Sequence, residues 1–123
     1  METVRSFSEI TPEMIQQWKA NYGDIKQIVI SRINRVPGND GKVEEVRSVY
    51  AQFVVCKPSR TVMDLLGKYQ TSQNVIEANK TIISNCVLGG DLDLLEKDGF
   101  LYTEVLDRLR NLADELEAEI KNI

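Results

Sequence analysis

The sequence predicts an α+β fold: an antiparallel β-hairpin or small sheet packed against about four helices, with a long helix at the C-terminal end. Three observations carry that prediction. Residues 24–33 alternate, Ile28 and Ile30 against Gln27, Val29 and Ser31 in a β-branched context, which is the period of a strand. Residues 48–57 repeat the pattern beyond Pro37-Gly38-Asn39-Asp40-Gly41. In that segment proline presets one φ and glycine supplies a positive one, so the two runs read as a hairpin. From Val62 onward apolar residues recur at intervals of three and four, the helical period.

In chain order, residues 1–9 lack periodicity and are expected to be a loose arm of a single domain spanning 1–123. Thr11-Pro12-Glu13 then starts a helix, with a hydroxyl N-cap, proline at the first helical position and an acid in the positive first turn. Met14, Trp18 and Tyr22 form its stripe and Gly23 ends it. In the second strand Val49, Ala51, Phe53 and Val55 share one face, and Tyr50, Gln52, Val54 and Cys56 the other. Two largely apolar faces imply a strand covered on both sides, or one at a protein interface. Ser59 can cap a helix with the stripe Val62, Leu65, Leu66 and Tyr69, and Asn74 offers the next cap.

The helix after Asn74 carries Val75, Ala78, Ile82 and Cys86, flanked by Ile76, Ile83 and Val87. A stripe that broad expects neighbours on more than one side and marks the central helix, which Gly89-Gly90 is expected to close. Residues 91–97 read as an acidic turn or short helix. The last helix is expected to follow a seam of Leu101, Val105, Leu109, Leu112, Leu116 and Ile120, supported by the pairs Glu104 with Arg108 and Glu117 with Lys121.

Composition then bounds the function classes. A chain of 123 residues, 42% apolar and 28% charged, can bury roughly two thirds of its unfolded surface as one domain. No apolar run approaches the roughly 20 residues of a membrane helix, and the start Met1-Glu2-Thr3-Val4-Arg5 lacks a signal peptide's apolar core. The expected compartment is the cytoplasm, with no membrane partner. Charge is asymmetric: ten acids and four bases from Asp91 onward, nine acids and eleven bases before it. Such a split bears on partners rather than on fold.

Histidine is absent, so a general base would have to be a perturbed carboxylate, lysine or cysteine, and no nucleophile stands beside an evident activating partner. No catalytic residue, cofactor or metal is expected. Cys56 and Cys86 are too few for a disulfide framework and read as buried thiols. Gly89-Gly90-Asp91 follows a helix instead of preceding one, which argues against a phosphate cradle. Asp91, Asp93, Glu96 and Asp98 do not make an EF-hand loop, because Leu95 and Glu96 stand where that loop needs an oxygen ligand and a glycine.

Binding is the remaining class, and two surfaces are candidates. Arg32, Arg35 and Arg47, with Lys42, Lys57 and Arg60, cluster around the hairpin beside Tyr50 and Phe53, a pattern that can hold single-stranded nucleic acid through phosphates and stacking. Against it stand Glu44, Glu45 and the acidic total, and bases on edge strands also serve to block aggregation. The seam Leu109, Leu112 and Leu116 is either core of its own domain or a surface for a second copy or a partner's amphipathic helix.

One resemblance narrows the choice. Lys57-Pro58-Ser59-Arg60 ends an apolar strand, a helical pair follows, and then come Glu77-Ala78-Asn79 and Asn85-Cys86-Val87-Leu88-Gly89-Gly90-Asp91. This middle third resembles small tail assembly chaperone-like proteins of tailed phages and prophages, which usually have an acid where Ser59 stands and an aromatic residue where Val87 stands. The resemblance implies a non-enzymatic protein whose partner is the tape measure protein of a phage tail. On that reading Tyr50, Phe53, Leu109, Leu112 and Leu116 are the expected contacts, with Arg32, Arg35 and Arg47 reserved for the nucleic-acid alternative.

Overall fold

The computed structural model describes residues 5–112 and 118–123. It is α+β, with a three-stranded antiparallel sheet in the order β1-β2-β3 and five α-helices among the described residues. A 3-10 turn at Phe7–Glu9 precedes helix α1, Pro12–Tyr22. Strands β1, Ile25–Pro37, and β2, Val43–Cys56, form the hairpin. Helices α2, Arg60–Thr71, and α3, Val75–Cys86, lead to strand β3, Val87–Gly90, then to α4, Leu92–Lys97, and α5, Gly99–Arg110.

The local signals for each start and stop work as physical chemistry requires. Thr11, Ser59 and Asn74 each accept a hydrogen bond from a backbone N–H three residues on, at 3.2, 3.2 and 3.3 Å, which satisfies donors the helix itself leaves open. Gly23 ends α1 at φ 76°, and Gly41 turns the hairpin tip at φ 78°, where Gly38 N–H donates to the Lys42 carbonyl at 2.7 Å.

The hairpin is longer than the alternation suggested, with pairing from Ile25 opposite Cys56 out to Pro37 opposite Val43. Its register slips at Tyr50: Ile30 faces Ala51 but Ser31 faces Val49. One extra residue in a strand reverses the sides beyond it. Tyr50 consequently packs with the core side, and Val49, which simple alternation put on one face with Ala51, Phe53 and Val55, is exposed.

The core lies on one face of the sheet, where Ile28, Ala51, Phe53 and Val55 meet Ile82, Leu95, Leu101, Val105 and Leu109 from the helices. On the other face Val54 is buried and Trp18 of α1 lies across Gly89 of β3. The second strand is thus covered on both sides over residues 51–56, one of the two arrangements its apolar faces allowed.

Four expectations change. Gly89-Gly90 does not cap a helix: α3 ends at Cys86, and the glycines belong to β3, opposite Val54 and Phe53. A Cβ at Gly89 would stand 2.8 Å from Trp18 Cη2, and one at Gly90 would stand 2.7 Å from Phe53 Cα, so both positions are glycine because other groups occupy the space. Helix α3 is less buried than its broad stripe implied: it buries only Ile82 and Cys86, while Val75 and Ile76 are 63% and 68% exposed, although it does meet α2, α5 and β3. From Arg5 onward the N-terminal segment is docked, not loose: Leu92 N–H donates to the Arg5 carbonyl and Phe7 N–H to the Asp91 carboxylate at 2.9 Å. Finally, α5 ends at Arg110 with Asn111 as its C-cap, and residues 118–123, including Ile120 of the expected seam, are in no regular structure.

No described helix is long and apolar enough to cross a membrane.

Candidate functional site

Phe53 and Leu109 are packed in the core and hold this domain together: Phe53 presents no surface to a partner, and Leu109 shows only 2% of its own. Hydrophobic burial explains both: each belongs to the core cluster shared by the sheet and α5, and neither the strand alternation at Phe53 nor the helical seam at Leu109 distinguished core from interface. Leu112 is half-buried just beyond the C-cap of α5, and Leu116 lies outside the described residues. Tyr50 is tied inward, its hydroxyl donating to Asp98 Oδ2 at 2.7 Å and its ring lying 4.4 Å from the Arg32 guanidinium.

The acidic turn is organised as a joint. Asp91 accepts from Gln52 N–H at 2.8 Å as well as from Phe7, clamping β2 to the N-terminal turn. Arg5 reaches Asp93 and Glu96, each at 2.7 Å. Asp98 caps α5 by accepting from Phe100 and Leu101 N–H at 3.0 and 3.2 Å. An Asp just before the Leu101 apolar run is an N-cap signal, and it was available in the sequence. Among the described residues no three His, Cys, Asp or Glu side chains come together where they could hold a metal ion.

The Tyr50 hydroxyl, then the Leu101 N–H, hold the Asp98 carboxyl below its ordinary value. A lowered folded-state pKa contributes stability above the unfolded value, about 3.9, and that contribution is lost as pH falls through the folded value. Asp98→Asn is expected to lower Tm at pH 7 and to flatten the loss of Tm between about pH 4 and pH 2. Thermal melts of both proteins at pH 7, 4 and 2 check this.

Two of the hairpin bases share one carboxylate, and the third faces an aromatic ring. Arg35 lies 4.0 Å and Arg47 3.9 Å from Glu45, and Arg32 is engaged with the Tyr50 ring. Neighbouring carboxylates offset the phosphate attraction such a surface would need.

What the structure does assemble is a trough that sequence reasoning did not single out. Pro58, Met63 and Leu66 on one side, and Ile82, Leu109 and Leu112 on the other, line an apolar cavity of about 360 Å³, with Lys57 and Arg110 as its two charged members. A second cavity, about 630 Å³, continues it between α2 and α3 towards Val75 and Ala78. Met63, Leu66, Ile82 and Arg110 line both, so the two form one continuous groove. Met63 is 54% exposed, and with Val75 and Ile76 it adds apolar surface on the same helix pair. Arg110 is held by donating to Asn79 Oδ1, while Lys57 Nζ lies 3.8 Å from Asp24.

The groove exists because α2 and α3 form a helical hairpin whose open end only partly meets α5. Stripe residues Leu66 and Ile82 face it from opposite walls. Leu66, Ile82, Leu109 and Leu112 were legible as apolar stripe members, but their convergence needs the tertiary arrangement. Compared with protein-family models, curated proteins and solved structures, the chain finds no match.

Proposed function

We propose that the chain is a non-enzymatic assembly chaperone that holds an amphipathic helix of a client in the groove between α2, α3 and the end of α5. The carrying observation is the groove's chemistry: an apolar end walled by Met63, Leu66, Ile82 and Leu112 with Lys57 and Arg110 as its charged lining residues, continued between α2 and α3 where Gln70, Gln73 and Asn74 add polar groups. A helix laid in such a groove inserts side chains at i, i+3, i+4 and i+7, and an acid beside that stripe complements the two cations. A small-molecule site would instead be concave and enclosed, with several polar groups converging on one point.

The resemblance to tail assembly chaperone-like proteins names the client as a phage tape measure protein, whose long helices expose apolar seams before a tube forms around them. On this reading Leu112 and Met63 make contact, while Phe53 and Leu109 support from beneath. Co-expression with a tape measure protein encoded beside this chain is expected to render the client soluble and to co-purify it at high salt. A client equally insoluble with and without this chain would sink the proposal. Binding that instead appears with single-stranded DNA and weakens steeply with salt would favour the hairpin reading through Arg32, Arg35 and Arg47.

A further inference from the structure

Two buried thiols flank the end of a ladder. The β2–β3 pairing ends with Val55 opposite Val87, and the residues just beyond that pair are Cys56, the last of β2, and Cys86, the last of α3. A disulfide spans Cα atoms roughly 4.4–6.8 Å apart, a separation compatible with two residues that directly follow and precede a paired rung. Cys56 Sγ donates to the carbonyl of Asn85, the residue before Cys86, at 3.4 Å, which places its sulfur against the Cys86 backbone. Both cysteines are free and buried.

We propose that Cys56 and Cys86 are a redox-active dithiol, which a small peroxide converts into an intramolecular disulfide. Cys56 is the entry point, because it keeps 4% of its surface accessible and Cys86 none. It is also the more acidic partner: the Cys86 S–H stabilises the Cys56 thiolate, whereas the same hydrogen bond and burial push the Cys86 thiol up. The Cys56 thiolate attacks one peroxide oxygen, the O–O bond breaks and hydroxide leaves, giving a sulfenic acid. The Cys86 sulfur then attacks the Cys56 sulfur, the S–O bond breaks, and the departing oxygen takes the Cys86 proton as water. Two thiols lose two protons and two electrons, and the peroxide takes them up to become two waters.

The bond would tie the end of α3 to the end of β2 and close the segment that carries α2 and α3, the helices walling the groove. Nothing in the inference depends on what the groove holds.

The test uses the full chain, reduced and freed of reductant, and treated with hydrogen peroxide at neutral pH without denaturant. Intact mass is then measured after alkylation in denaturant. The expected product is a monomer about 2 Da lighter than the reduced chain, with both sulfurs closed to alkylation and restored by dithiothreitol. Its Tm rises by several degrees, because the cross-link restricts the unfolded chain. Cys86→Ser is expected to stop at a dimedone-reactive sulfenic acid on Cys56, and Cys56→Ser to leave Cys86 unoxidised. Two alkylatable thiols persisting after peroxide has oxidised a cysteine peptide in the same tube would overturn the proposal. So would sulfinic acid or a cross-linked dimer as the sole product. The wild-type mass decides the matter even where a serine variant fails to fold.

Discussion

Gly90→Val is expected to abolish folding of the isolated chain. Gly90 has φ 141°, a conformation that residues with a Cβ rarely adopt, and its Cβ position falls against the Gln52 carbonyl and 2.8 Å from Phe53 Cδ1. Backbone strain of about 1–3 kcal/mol and overpacking of about 1–3 kcal/mol, at least, together reach about 6 kcal/mol, comparable with the low end of the roughly 5–15 kcal/mol by which small domains are stable. Neither neighbour can give way cheaply, because Gln52 N–H and its carbonyl are both committed to Asp91 and Phe53 is wholly buried. Soluble yield and far-UV circular dichroism read the outcome. A folded variant with the wild-type Tm would mean that the β2–β3 pairing does not close the core.

Leu109→Glu is the second large effect. Leu109 sits on the inner face of α5 with Leu101, Val105 and Leu106, all buried, so the carboxylate would enter an apolar site with no partner among those neighbours. The cost is about 4 kcal/mol or more, and equilibrium urea unfolding should find little or no folded baseline. Met63→Glu, by contrast, changes a half-exposed residue and should move stability by no more than about 0.5 kcal/mol. The pair separates the floor of the groove from its rim. A stable Leu109→Glu protein would return that residue to the class of partner contacts.

The contrast also marks what could be read from the chain alone. The caps at Thr11, Ser59 and Asn74, the stop at Gly23 and the hairpin turn are decided by chemistry within a few residues, and all were legible. Strand β3 was not. A glycine pair after a helical stripe is what a helix terminator looks like, and its strand character comes from pairing with β2, more than thirty residues away. The bulge at Tyr50 was hidden for the same reason, since register is a property of two strands together. A seam residue such as Leu109 has the same spacing whether its neighbours come from its own domain or another, so periodicity could not tell core from interface. The acids at 91–98 were legible as a cluster, but their engagement with Arg5, Phe7, Gln52 and Tyr50 joins segments far apart in the chain.

The groove stands or falls on where a client touches the protein. Amide hydrogen exchange of the chain, free and co-purified with the client, maps that contact directly, because backbone amides in a covered surface exchange more slowly. The account predicts new protection over α2, α3 and residues 108–112, with the outer hairpin, residues 31–49, unchanged. Protection confined to that hairpin, with α2 and α3 exchanging as in the free protein, would contradict it.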